Sequence, residues 1–267
     1  MGVLPPGDIR NCLVALAETE TLMDQIFQHR FSQGDGLKGH NLGNLLLVAM
    51  TEITGDFISA IKEVSRVLAV RGRVLPATLE HVSLGARMDD GVTVWGETLI
   101  RDYGGKINRL FLSPECEPVP EALAALNEAD AIIIGPGSLY TSIIPNLAVK
   151  GIADAIAASN AITFYVGNIM TEMGETDAFT ACDHLRVIFD HVGQQLIDYY
   201  IVNTGRVDEA RLNRYREEKS VPVKIDREEI TALGVQIIEA DLIGYDQVAW
   251  HDPDKLARVI MQTLRGI

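Results

Sequence analysis

The chain is poor in cysteine and aromatic residues and has no concentration of positive charge. Its three cysteines, Cys12, Cys116 and Cys182, lack CxxC spacing. That excludes a zinc knuckle and the disulfide framework of a small secreted domain, and leaves three reduced thiols. Lys and Arg number 23 against 37 Asp and Glu, a net charge of -14. Nucleic acid and anionic membranes would be repelled by that field unless a local basic cluster overcame it, and none is present. No stretch approaches the roughly 18 uninterrupted apolar residues of a membrane span, and the amino terminus has no basic and apolar regions of a signal peptide. The expected compartment is the cytoplasm, with no nucleic acid and no membrane as partner. HExxH, GxSxG and GxxxxGK[ST] are all missing. Hydrolysis through a covalent nucleophile is therefore poorly supported.

What remains is an ordinary globular composition over 267 residues, enough for one large α/β domain with a small insert. The segment 1–30 opens on a Pro-Pro-Gly turn with Asp8 placed to cap a helix carrying Ile9, Leu13, Leu16 and Ala17. A glycine-rich loop, 34–43, leads to a helix over 44–54, and Asp56 caps another that reaches about 70. Helices in succession predict a helical cap. From 73 to 113 the period falls to two, and short strands at 74, 81–84, 92–95 and 107–112, with an Asp89-Asp90-Gly91 turn, predict a small antiparallel insert. Beyond Pro118 helices and strands alternate. Strands are expected at 131–134, 162–166, 199–202 and 235–239, and helices at 121–127, 138–147, 152–158, 180–192, 209–217 and 254–264. This order predicts a mostly parallel sheet with helices on both faces, within a single domain spanning 1–267.

Ligands of open α/β sheets bind beyond the carboxyl ends of the strands, so the loops after 134, 166 and 202 should share a rim. The first is Gly135-Pro136-Gly137-Ser138. It is either a phosphate cradle, with glycine backbone approaching an anion at a helix start and Ser138, Thr141 and Ser142 adding hydroxyls, or a tight turn with Ser138 as N-cap. The second, 167–177, is longer than a crossover needs and carries Asn168 and Thr171. The third, Asn203-Thr204-Gly205, reads as a plain turn. Near the amino end, Arg10 and Asn11 could clamp a phosphate and Asp8 could hold Mg²⁺, or Asp8 is a cap and Arg10 is solvated. His40, Asn41 and Asn44 offer further polar groups in the glycine-rich loop, where a lone histidine is more often structural than catalytic. Asp183-His184 reads as surface polarity at a helix start.

Taken together, PPGDIRNCLVAL at 5–16, GHNLGNLLLVAMTEITGDF at 39–57, VLPAT at 74–78, IIIGPGSLYTSIIPNL at 132–147 and the stretch from Asn168 through MTEMGETDAFTACDHL resemble the gluconeogenesis factor (YvcK-like) family. That family is related to the 2-phospho-L-lactate transferases (CofD-like), and the resemblance covers essentially the whole chain. It implies a Rossmann-like α/β fold, a cytoplasmic protein needed for growth and cell shape on gluconeogenic carbon sources, and binding of UDP-sugars such as UDP-N-acetylglucosamine, with no required cofactor. The transferase branch implies an alternative, transfer of a phospholactyl group from a nucleotide-diphosphate donor with Mg²⁺. Candidate phosphate- and nucleotide-binding residues are Asp8, Arg10, Asn11, His40, Asn44, Gly135, Gly137, Ser138, Ser142, Asn168, Thr171 and Tyr215, with Asp8 as the candidate metal ligand.

Two departures from the family pattern bear on this. The usual opening strand with its Gly-Gly-Gly-Thr-Gly loop and the Asp-Asp-Gly-Gly loop are absent ahead of the Pro-Pro-Gly-Asp motif. The chain therefore resembles an amino-terminally shortened member and is expected to be unstable or inactive as written. Loss of the acidic loop leaves Asp8 alone on that side, which favours a nucleotide-sugar sensor acting through a protein partner over a metal-assisted transferase. In the family Tyr215 matches a nucleotide-sugar position, and its ring could stack on uracil or simply pack on a helix face. Trp250 stands where an arginine is common ahead of His251-Asp252, and a tryptophan cannot pair with a diphosphate. A homodimer is the expected assembly.

Overall fold

A computed structural model describes residues 6–18, 21–244 and 248–266. Leu4 and Pro5 of the opening turn lie outside them. The chain divides into two units, one of residues 1–81 and 119–122, the other of 82–118 and 123–267.

Among the described residues the first unit contains four helices, α1 (Gly7–Ala15), α2 (Thr21–Gln28), α3 (Leu42–Thr54) and α4 (Phe57–Val67). Helix α4 shows why: Phe57, Ala60, Ile61 and Val64 recur at helical spacing and are buried, facing Leu13, Leu47 and Leu68 in one apolar cluster. Each fully buried leucine contributes about 1.5–3 kcal/mol of transfer free energy. The starts of α3 and α4 are set by Asn41 and Asp56, whose side chains accept the backbone N–H of Asn44 and Ser59. The expected strand at Val74 does not form; Val74 belongs to the helical core instead. Asp8 is not a cap either. Pro6 occupies the N-cap position without a side-chain bond, and Asp8 sits in the first turn, where its charge complements the helix dipole. The loop ahead of α3 has glycines at 34, 36 and 39, the GxGxxG spacing, but it follows a helix rather than a strand and so lacks the context in which that spacing binds a dinucleotide.

The second unit carries two sheets. The smaller is antiparallel, in the order β2-β1-β3, from β1 (Ser83–Met88), β2 (Thr93–Trp95) and β3 (Ile107–Ser113). The expected Asp-Gly turn joins β1 to β2, with Asp90 accepting the Val92 amide. Helix α5 (Glu97–Asp102), too short to show a period, was not foreseen between β2 and β3. Gly85 lies under two aromatic rings: a Cβ there would stand 2.7 Å from the Phe111 ring and 2.9 Å from Trp95. The rings themselves meet edge to face at 5.3 Å.

The larger sheet is parallel, in the order β4-β5-β6-β7, from β4 (Ala131–Ile134), β5 (Ile162–Val166), β6 (Tyr199–Asn203) and β7 (Gln236–Ala240). It is served by α6 (Pro120–Glu128), a π-helical turn Leu139–Ile143 running into α7 (Ile144–Leu147), α8 (Ile152–Ala158), α9 (Ala181–Val192), α10 (Glu209–Glu217), α11 (Arg227–Ala232) and α12 (Pro253–Gly266). Strand periodicity assigns the faces. Phe164, Val166 and Ile201 pack with Leu256, Val259 and Ile260 of α12. Tyr165 and Tyr200 point the other way and lie 4.9 Å apart. The expected α/β architecture, a parallel sheet with a small antiparallel sheet and flanking helices, is therefore present. Among the described residues no single helix is long and apolar enough to cross a membrane.

Helix α9 ties the two sheets of this unit together. Its start is a capping box between Thr180 and Asp183. At its end Arg109 of β3 donates to the backbone oxygens of Asp190 and His191 at 2.7 and 2.9 Å. His191 Nδ1 donates to the Val187 oxygen while Nε2 accepts the Leu110 amide at 2.9 Å, which fixes a neutral imidazole.

Candidate functional site

The carboxyl end of β4 runs into Gly135-Pro136-Gly137-Ser138. Gly135 has φ +82, and a Cβ there would meet the Val166 oxygen at 3.1 Å. Only glycine fits both the conformation and the space. At Gly137 a Cβ would stand 3.2 Å from the Ser142 Cβ, so that backbone too is kept bare. The helical run then begins as a π turn, with both the Ser142 and Ile143 amides donating to the Ser138 oxygen at 2.9 and 3.0 Å. Ser138 stands at the N-cap position without making a cap bond. Its hydroxyl turns to Glu172.

Two carboxylates of the loop after β5 occupy this mouth. Glu175, 8% exposed, accepts the Tyr140 amide at 3.2 Å and the Thr141 hydroxyl at 2.9 Å. Glu172 accepts the Asn168 amide at 3.1 Å in addition to Ser138. Burial pushes both carboxyls above the usual carboxylate range, and at Glu175 the neighbouring Glu172 adds to it. The sequence pattern Met-Thr-Glu-Met-Gly-Glu-Thr-Asp places both glutamates in the long loop after β5, but nothing local in it marks them as partners of the glycine loop. Asn168 is thus at the site, with its Oδ1 unpartnered. Thr171 is not: its amide and hydroxyl oxygen pair with the Val221 oxygen and amide, pinning the loop to the chain after α10. Ser142 is exposed beside Gly137.

The loop itself is held by its own polar groups. The Glu172 amide donates to the Thr176 hydroxyl and the Gly174 amide to Asp177. Beneath it, Tyr165 and Tyr200 are fully buried with unpartnered hydroxyls. The third loop is the turn its sequence suggests: Asn203 bonds both the amide and the oxygen of Gly205 and also accepts the Leu242 amide. Tyr215 is half-buried against Ile169, Met170, Val207, Ile243 and Ala249, and its hydroxyl accepts the Ala249 amide at 3.0 Å. Its ring packs within that cluster. Trp250 is 66% exposed, whereas His251 bonds the Gly167 backbone and Asp252 caps α12 through the Asp254 and Lys255 amides. His184 corrects the expectation of surface polarity. It is fully buried, donating from Nδ1 to the Thr180 oxygen, because its position in the first turn of α9 faces inward.

The remaining predicted residues belong to the helical unit. Asp8, Arg10 and Asn11 lie on α1, and Asn44 is on α3. The Arg10 stem covers Gly43, where a Cβ would meet it at 2.9 Å. Arg10 donates to Asn11 at 2.5 Å, and its Nε and the Asn44 Oδ1 are buried without partners. Burial, and then the nearby Arg30, lower the Arg10 pKa, while Asp8 opposes them. Of these two atoms only the Arg10 Nε is a donor that an anion could use. His40 lies in the exposed turn, joined through its backbone to Phe31 and Leu37. For Mg²⁺ the fit fails: Asp8 is exposed, and among the described residues no three His, Cys, Asp or Glu side chains converge on a common point. No step is assigned to the ion.

The family profile described as 2-phospho-L-lactate transferase CofD matches residues 1–243. A protein of Halalkalibacterium halodurans named gluconeogenesis factor is 47% identical over 264 residues, 98% of this chain and 82% of that protein. A Bacillus subtilis protein of the same name is 46% identical over 263 residues, 98% of this chain and 83% of that one. A crystal structure of a Bacillus halodurans protein superposes with a TM-score of 0.94 at 48% identity, covering 97% of this chain and 84% of that chain. With both matches extending across the glycine loop and the Glu172–Glu175 loop, the chain belongs to the CofD family and, within it, to the gluconeogenesis factors.

Proposed function

We propose that the protein is a cytoplasmic regulator that binds a nucleotide sugar, UDP-N-acetylglucosamine or a close relative, through its diphosphate at the glycine loop. It acts on growth and cell shape on gluconeogenic carbon through a protein partner. The observation that carries this reading is the bare backbone of Gly135 and Gly137 at the carboxyl end of a parallel strand, opening into a helix start beside Ser138. An acidic protein suits a compact diphosphate better than a polyanion. The relatives named gluconeogenesis factor support a role in gluconeogenesis.

A second reading, transfer of a phospholactyl group from a nucleotide-diphosphate donor, is favoured by the description of the matching family. Calorimetric titration with UDP-N-acetylglucosamine, UDP-glucose, GDP and NAD, each with and without Mg²⁺, separates the two. The regulator reading expects UDP-sugar binding that does not need the metal. Mg²⁺-dependent GDP binding with no UDP-sugar signal would reverse the order.

A further inference from the structure

This inference rests on the reading that an anion binds at the glycine loop. Three of the donors that an entering phosphate could use are already taken by an internal anion. Glu175 holds the Tyr140 amide and Thr141 hydroxyl, and Glu172 holds the Ser138 hydroxyl. Close to Glu172 are an acceptor and a hydroxyl with nothing to bond. Tyr165, fully buried, has an unpartnered hydroxyl whose ionisation the Glu172 charge opposes, and Asn168 Oδ1 is unpartnered as well. A mouth in which partnered carboxylates stand next to unpartnered polar groups is arranged for exchange of partners rather than for permanent structure.

We propose that Glu172 and Glu175 form a proton-linked gate on the glycine loop, holding its donors when ionised and releasing them to a diphosphate on taking up a proton. The charges around the pair are one-sided. Glu172 and Glu175 come from one loop and the charge of Glu172 acts on Glu175, Tyr140 comes from the π turn and Tyr165 from β5, and the charges of Asp89 and Asp190 act on Tyr140. No Lys or Arg among the described residues contributes to the shift of either carboxyl. A diphosphate brought within a few ångströms of two carboxylates therefore raises their proton affinity further, and the complex draws a proton from the buffer onto a glutamate oxygen. No bond is made or broken apart from that protonation. The neutral carboxylic acid then gains an O–H that can donate to a phosphate oxygen.

The test is calorimetry with inorganic pyrophosphate and with UDP between about pH 8 and about pH 6, in buffers of different ionisation enthalpy. It compares the wild-type chain with Glu175→Gln and Glu172→Gln. Uptake of one proton predicts an association constant that rises by up to about tenfold per pH unit as pH falls, with heats that vary with the buffer. The variants share the ligand's own titration, so a shallower slope in either variant belongs to the protein. Glu175→Gln is expected to bind more tightly than wild type at the alkaline end. Binding by Glu175→Gln where wild type shows none would also support the gate. Equal slopes in all three proteins, or heats independent of buffer, overturn the gate while leaving anion binding intact. Absence of binding by all three at every pH overturns both. The slope comparison needs only one of the two variants to fold, and heats independent of buffer on the wild-type chain overturn the gate whatever the variants do.

Discussion

Glu175 Oε1 and the Thr141 hydroxyl lie 2.9 Å apart, and this bond joins the loop after β5 to the helical turn after β4. Thr141→Val removes the donor while keeping the shape, leaving a buried carboxylate with one partner fewer. Loss of a hydrogen bond to a charged buried group costs about 1.5–3 kcal/mol. Chemical denaturation should show a loss of that order for Thr141→Val, with near-wild-type stability for Thr141→Ser. Loss in Thr141→Ser with none in Thr141→Val would mean that the threonine methyl, not the hydroxyl, is what matters.

Gly85 sits where the Trp95 and Phe111 rings leave no room for a side chain. Gly85→Val should push one ring off the sheet face, at a cost of about 1–3 kcal/mol for overpacking. Trp95 fluorescence should shift to the red, and the melting temperature should fall. An unshifted spectrum with unchanged stability would show that the rings have freedom to move aside.

His184 and His191 are both held below the ordinary histidine value, first by burial and, for His191, also by Arg109; backbone acceptors at Thr180 and Val187, and Asp183 and Asp190, oppose this. A depressed pKa in the folded state means that the unfolded chain binds more protons below the unperturbed value. Their stabilising contribution is complete above about pH 6.5 and declines as pH falls through that value towards the folded pKa, by at most about 1.4 kcal/mol per pH unit for each histidine. Protonated His191 could no longer accept the Leu110 amide. Thermal melts between about pH 7.5 and about pH 5.5 should lose stability towards acid, and His191→Gln should flatten the slope. A slope unchanged in that variant would exclude His191 as its source.

Much of this was legible in sequence where apolar spacing and turn chemistry agree. The strand at 131–134, the helix at 209–217 and the Asp89-Asp90-Gly91 turn fall where periodicity places them. Helices α5 and α11 have six residues each, too few to show a period. Val74 illustrates the other limit: a β-branched residue near a turn reads as strand, yet tertiary burial against α4 decides its state. At the site, glycine spacing located the loop after β4, but no local signal revealed that Glu172 and Glu175 would fold back across it. That pairing depends on long-range contact between two crossover loops. Tyr215 shows the same limit in reverse, since an aromatic that could stack on a base is held by its hydroxyl on the Ala249 amide.

Tyr215→Phe keeps the ring among Ile169, Val207 and Ile243 and removes only the acceptor for the Ala249 amide. The loss of one neutral hydrogen bond should lower stability by about 0.5–1.5 kcal/mol. Affinity for a UDP-sugar should stay close to wild type, as measured by calorimetry. A large loss of affinity with unchanged stability would place the Tyr215 hydroxyl on the ligand instead.

The glycine loop gives the sharpest separation between a turn and a cradle. Gly135 has φ +82, a conformation that L side chains rarely adopt, and its Cβ would face the Val166 oxygen at 3.1 Å. Gly135→Ala therefore strains the fold itself, by about 1 kcal/mol or more, and a loss of binding there would be ambiguous. Gly137 lacks the positive φ, and a Cβ would meet the Ser142 Cβ at 3.2 Å, which can give by a few tenths of an ångström, and the Ile143 Cδ1 at an ordinary 3.6 Å. Gly137→Ala should therefore leave the melting temperature within a few degrees of wild type, since about 1 kcal/mol moves it by roughly 2–4 °C in a chain of this size. If the backbone there approaches a diphosphate, the same methyl group should lower UDP-sugar affinity at least about tenfold, about 1.4 kcal/mol. Unchanged affinity in a stable Gly137→Ala protein would return the loop to a structural turn.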